Sequence, residues 1–159
     1  MTSSSRGFGI SRRGFLIGGG VGVGLLVAWA AWPRSYSPNL VASEGEEIFN
    51  AFLKIGEDGH VTVVVPQAEM GQGVWTSLPQ ALADELGADW RTVGVEPAPL
   101  NPLYANDLWV AENGAAVLPE ALSGAGDWAA REFAIRNAVM ITAGSTSIRG
   151  FETRFREAG

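Results

Sequence analysis

Two short turns in this chain carry residue types that could hold a ligand. The first lies in VPQAEMGQGVWTSL, Val65 to Leu78, where Gly71 and Gly73 flank Gln72. Glycines on both sides of a glutamine let a backbone come within hydrogen-bond reach of a ligand. The Gln72 amide offers one acceptor and two donors, which suits a heterocycle edge or a phosphate. The loop leads toward a helical pattern whose first N–H groups favour anions. The second turn, Gly144-Ser145-Thr146-Ser147, repeats this design with hydroxyls at another helix start. Two such turns in one domain would cradle a phosphate-bearing heterocyclic cofactor. Each is also readable as an ordinary strand-to-helix turn, because a lone Gly-x-Gly is a weak signal.

Other chemistry-bearing groups say less. Glu69 beside the first loop could act as a base, although an acid at a loop surface is the commoner case. Asp84 and Glu85 fall on a helical pattern and read as a solvated face. Ser77 has no His or Lys at a nucleophile spacing. His60 is the one histidine, cannot build a histidine metal site alone, and is expected to be exposed beside a turn. There is no Cys, which excludes disulfides, thiolate metal sites and a thiol nucleophile. No catalytic residue and no metal ligand is assigned in this chain.

The elements that must position the turns follow from local pattern. NAFLKIGEDGHVTVVVP reads as a hairpin, with strand runs Ala51–Ile55 and His60–Val65 around Glu57-Asp58-Gly59. Asp-Gly marks the turn because glycine takes positive φ without penalty. Val61, Val63 and Val65 alternate with Thr62 and Val64, so this strand is buried on one face or both. Trp75, Leu78, Leu82 and Leu86 have helical spacing, with Pro79 expected in the first turn and Gly87 as C-cap. A short strand, Val93–Glu96, follows. The expected class is α+β, a β-hairpin followed by a strand-loop-helix-strand unit. Residues 33–48 read as a linker. Residues 99–130 read as loop-rich, with a helical turn at Leu118–Leu122 and with Tyr104, Leu108, Trp109 and Trp128 left uncovered. Ile148 to Ala158 reads as an amphipathic helix with Ile148, Phe151 and Phe155 on one side and Ser145 or Ser147 as N-cap. The chain ends in that helix with no following strand, which is taken as a mark of truncation.

Length and charge set the frame. The 159 residues are 47% hydrophobic and 18% charged, a globular composition, with net charge −6. The first 32 residues carry Arg6, Arg12 and Arg13 and no acid, so the remaining body is strongly acidic. An acidic body argues against nucleic acid as a partner. In SRRGFLIGGGVGVGLLVAWAAWPRSY, Arg12 and Arg13 stand in register with Phe15 and Leu16 before a Gly-rich apolar run. That run is shorter than the roughly 20 residues of a spanning helix. The pattern resembles a twin-arginine export signal, with Ala28-Trp29-Ala30 a weak cleavage site, so a retained membrane anchor is the alternative. Twin-arginine systems export proteins already folded, often with a cofactor inserted. The expected division is residues 1–42 for the leader and the start of the linker, and 43–159 for a partial domain. The expected location is the periplasm or its side of the membrane.

The segment NAFLKIGEDGHVTVVVPQAEMGQGVWTSLPQALADELGADWRTVGVEPAPLNPLYAN, with ITAGSTSIRG further on, resembles the start of a known large subunit. It is the molybdenum-containing subunit of isoquinoline 1-oxidoreductase-type aldehyde dehydrogenases, in the xanthine oxidase family of molybdenum hydroxylases. That family usually has Gly-Gly where this chain has Ala143-Gly144, and the stretch 107–137 matches poorly. The resemblance implies an incomplete part of a larger molybdopterin-binding domain and a molybdopterin cytosine dinucleotide cofactor. It puts Met70, Gly71, Gln72 and Gly73, with Gly144, Ser145, Thr146 and Ser147, at that cofactor. It implies hydroxylation of aldehydes or N-heterocycles with oxygen from water, and an iron–sulfur partner subunit. The family's glutamate base lies outside these residues, and Glu69 does not replace it. A truncated gene product, or one piece of a split large subunit that needs its remaining part, is therefore expected, inactive alone. A non-catalytic exported assembly module and a decayed fragment are the rival readings.

Overall fold

Three valines on one face of a strand, Val61, Val63 and Val65, decide where the core of this chain sits. A computed structural model describes residues 11–114 and 123–159, giving the backbone alone for residues 12, 13, 15, 16 and 31. The chain divides into two units, Met1–Ser35 and Tyr36–Gly159. In the first, α1 (Arg12–Ala31) starts at Ser11, whose Oγ accepts from the Gly14 N–H at 3.1 Å. That is an ordinary serine N-cap. Its Ile17, Val21, Leu25 and Leu26 are exposed. Among the described residues no helix is long and apolar enough to cross a membrane.

The second unit holds one four-stranded sheet in the order β1 (Glu46–Ile48), β2 (Leu53–Gly56), β3 (Val61–Val65), β4 (Val93–Pro97). β1–β2 and β2–β3 are antiparallel, and β4 runs parallel to β3. The expected hairpin is present, closed by the Gly56 N–H donating to the His60 carbonyl at 2.8 Å, with Gly59 at φ +81°. The helix α2 (Val74–Leu86) carries the chain from β3 to β4. Gly87 caps it in the left-handed region. Two further helices, α3 (Asp107–Gly114) and α4 (Ser123–Arg136), precede α5 (Thr146–Ala158).

Val61, Val63 and Val65 face Val74, Leu78 and Leu82 of α2 and Phe151 and Phe155 of α5, and together these form the core. Each large apolar group buried here contributes about 1.5–3 kcal/mol. Val64 on the opposite face is buried too, so β3 is covered on both sides. Lys54 of β2 is itself buried, with its Nζ 3.0 Å from Glu46 and 2.8 Å from Glu96 across the sheet.

The fold corrects several expectations. The supposed linker 33–48 ends in β1, and its preceding residues are tied to the domain. The Ser37 carbonyl accepts from Asn101 and the Val41 carbonyl from Lys54. Three residues at a sheet edge carry too little alternation to signal a strand. Pro79 lies in the second turn, because α2 begins at Val74. It removes the bond to the Trp75 carbonyl, and its buried ring packs in the core instead. The loop-rich stretch contains α3 and most of α4, while Leu118–Leu122 lies outside the described residues. Tyr104 is buried rather than uncovered, edge-on to Phe52 with its hydroxyl donating to the Ala51 carbonyl at 2.6 Å. Burial pushes its phenol up to about 12. Ile148 is exposed, unlike Phe151 and Phe155 on the same helix.

Candidate functional site

The chain leaves β3 through Pro66 into Gln67, which is 1% exposed. From there the first turn folds back on itself. The Glu69 carboxylate accepts from the N–H groups of Gly71 at 2.7 Å, Gly73 at 3.0 Å and Trp75 at 3.0 Å. The Gly73 and Trp75 amides belong to the leading end of α2. The Trp75 N–H, then the Gly73 and Gly71 N–H groups, hold the carboxyl below its usual range. The expected free anion site at the start of α2 is therefore filled by the chain's own acid. Gln72 turns inward as well: its Oε1 accepts from the Met70 N–H and its Nε2 donates to the Ala68 carbonyl at 2.6 Å. One Nε2–H of Gln72 remains. Gly71 and Gly73 sit at φ +91° and +79°, with open space where a side chain would stand. Their backbone conformation, not crowding, requires glycine.

The second turn is built from behind. Gly144 and Ser145 take φ +64° and +54°. Ser145 occupies the N-cap position of α5, yet its side chain makes no capping bond, and Ser147 does not cap either. Thr146 is buried, its Oγ1 donating to the Ala143 carbonyl at 2.7 Å and accepting from Asn106 Nδ2 at 2.7 Å. It stands behind the turn rather than on its surface. Asn106, also buried, reaches the Ile141 carbonyl at 2.8 Å, so one amide fixes both ends of the approach to the turn.

Two bonds join the turns. The Ala68 N–H donates to Thr142 Oγ1 at 2.8 Å, and Ser147 Oγ donates to Gln67 Oε1 at 3.1 Å. Between them lies a cleft of about 400 Å³ lined by Met70, Gln72, Thr142, Ala143, Gly144, Ser145 and Ser147. Thus five of the eight residues that the sequence nominated line one cleft. Gly71, Gly73 and Thr146 shape its walls from outside. Gln67, Thr142 and Asn106 were missed, because only contacts distant in sequence give them a role.

The cleft is apolar and hydroxylic. Met70 stands 70% exposed at its mouth. No charged side chain lines it. Among the described residues no cluster of three His, Asp or Glu could hold a metal ion. Such a wall takes the face and edge of a neutral ring better than a bare ion. A larger groove of about 550 Å³ lies by α2 and α5, away from both turns. Its Arg156 is already paired with Glu85 and Glu152. The smaller cleft has the polar groups placed for recognition. His60 is exposed, as expected.

Residues 11–103 match the model of the molybdopterin cofactor-binding domain family. That match includes the first turn and stops before the second. The chain is 36% identical over 105 residues to isoquinoline 1-oxidoreductase subunit beta of Brevundimonas diminuta, covering 62% of this chain and 13% of that protein. It is 34% identical over 102 residues to the membrane-bound aldehyde dehydrogenase [pyrroloquinoline-quinone] of Gluconacetobacter polyoxogenes, covering 60% and 13%. The chain thus spans only a small part of the length of these relatives.

Proposed function

This chain belongs to the molybdopterin cofactor-binding domain family, and we propose from that membership that its two turns form one wall of a molybdenum-cofactor site. What supports the reading is the single cleft that Met70, Gln72, Gly144, Ser145 and Ser147 share. Behind that wall, beside Ser147, the buried Nε2 of Gln67 has no partner among the described residues, an orphaned donor next to the cleft. When bound, the cofactor supplies the redox chemistry by which a substrate carbon gains oxygen from water. Met70 would pack on the ring face. The remaining Gln72 N–H and the Ser145 hydroxyl would meet its polar atoms, and the glycines would keep the backbone close.

The cofactor is proposed to be the cytosine dinucleotide form. The substrates are aldehydes or N-heterocycles, and turnover needs the rest of a large subunit and an iron–sulfur partner. The chain alone is proposed to be inactive. Export by the twin-arginine route to the periplasm, with α1 as signal or anchor, completes the proposal. One relative is named for pyrroloquinoline quinone, a polycarboxylate. The cleft offers such a ligand no cationic side chain.

The test is co-expression of the full chain with the reading frames next to its gene, in a host that makes the molybdenum cofactor. Molybdenum and pterin in the purified product, in equal amounts, are expected. Metal-free protein, or bound quinone in place of pterin, would sink the reading.

A further inference from the structure

Gln67 is a buried polar residue behind the cleft, in contact with its Ser147. It lies between the two turns and is held on two sides. Its carbonyl accepts from Trp75 Nε1 at 2.7 Å, and its side-chain Oε1 accepts from Ser147 Oγ at 3.1 Å. The residue is 1% exposed, and its Nε2 is buried with no partner among the described residues. Ser147 lines the cleft. A serine hydroxyl has one proton and two lone pairs. With that proton directed at Gln67, what Ser147 can show the cleft is a lone pair.

We propose that Gln67 is a positioning residue that holds the Ser147 hydroxyl as a hydrogen-bond acceptor, so that this wall takes an N–H edge of the cofactor's heterocycle and not a phosphate. This rests on the cofactor reading above. Two observations carry it besides the Gln67–Ser147 bond. The lining has no cationic side chain, so an anionic group gains nothing at Ser147. Of the other cleft hydroxyls, Thr142 Oγ1 already accepts from the Ala68 N–H and keeps its own proton as a donor, and Ser145 makes no capping bond. The wall therefore presents an acceptor at Ser147 and a donor at Thr142, the complement of a ring edge that carries both N–H and C=O. Pterins and cytosine both have such an edge, and both lack it on their phosphates.

Amide orientation is what the proposal turns on. If the Gln67 amide were reversed, Nε2 would donate to Ser147, and the hydroxyl proton would point into the cleft and favour phosphate. The test uses the full chain with pterin, cytidine and inorganic phosphate as separate probes. Binding is followed by amide chemical shifts at Met70, Gly144 and Ser147. Pterin or cytidine, whichever supplies the edge, is expected to shift Ser147, and phosphate is not. Gln67→Met and Ser147→Ala should each weaken that binding roughly three- to tenfold. The double variant should be no weaker than the worse single one. An unchanged pattern of amide shifts away from the cleft in Gln67→Met, with an unchanged urea midpoint, is the control expected of a folded chain. It separates the hydrogen-bond role from simple loss of fold. Phosphate shifting Ser147 in the native chain, additive losses in the double variant, or unchanged binding in Gln67→Met would each overturn the role of Gln67 while leaving the cofactor reading intact. A native chain that binds neither pterin nor cytidine would overturn both.

Discussion

Glu69 shows how one carboxylate changes the meaning of a helix terminus. By accepting from the Gly71, Gly73 and Trp75 N–H groups it takes the place an anion would occupy at the start of α2. Its folded-state pKa is lowered, chiefly by the Trp75 N–H. The order it brings to the loop is therefore fully present above the carboxyl's unfolded value and is lost as pH falls through the lowered one. Hydrogen exchange at Gly71 and Gly73 should accelerate across that acid window in the native chain. In Glu69→Gln the exchange should be faster at neutral pH and flat across the same window. Gly144 gives a second residue-level expectation. It sits at φ +64°, and an added Cβ would meet the Trp109 ring at 3.0 Å. Gly144→Ala should lower stability by about 1–2 kcal/mol in chemical denaturation, because the left-handed conformation and the close contact both oppose it. Sequence marked this glycine as important, but for a ligand; the structure adds the ring behind it.

At the scale of elements, α2 and α5 clamp one face of the sheet, and the face of α5 is unevenly used. Phe155 is fully buried against Phe52, with ring centroids 4.9 Å apart. Ile148, two turns earlier on α5, is 37% exposed. Phe155→Ala should lower unfolding free energy by about 3–5 kcal/mol. Ile148→Ala should change it by less than about 1 kcal/mol. Equal effects from the two substitutions in urea titrations would contradict this packing. The two helices that pattern missed, α3 and α4, explain themselves here. They bury few of their residues, Ala111 in α3 and Gly126 and Ala134 in α4, and much of what fixes them is ionic: Asp107 bridges Arg131 of α4 at 2.6 Å and Arg154 of α5 at 2.7 Å. A helix held partly by ion pairs to distant elements shows weak periodicity in its own sequence.

For the whole molecule, that Asp107 bridge is the joint among three helices. Both arginines are partly exposed, so screening by water limits its value. Asp107→Asn should lower stability by about 1–2 kcal/mol, with the difference from the native chain shrinking in high salt. The second whole-chain expectation concerns the leader. Under the export proposal, replacing both Arg12 and Arg13 by Lys should keep the chain in the cytoplasm, read by fractionating cells that express it. Periplasmic recovery of that double variant would remove twin-arginine export from the proposal.

The sequence by itself determined what depends on neighbours along the chain. The Asp58-Gly59 turn, the β3 valines, the leucine spacing of α2, the Gly87 cap and the two glycine-bearing turns all follow from local conformational preference and short hydrophobic periods. Family membership also resides there, since residues 11–103 carry the match. Tertiary structure decided which atoms of those turns are free to act. Gln72 and Thr146 have types suited to a ligand, yet their side chains are largely engaged by the chain itself. Gln67 and Thr142, unremarkable in sequence, join the turns through bonds between residues 80 and 74 positions apart. A residue type states how many hydrogen bonds a side chain can make. Which of them remain for a ligand depends on partners that only folding brings within 3 Å or so.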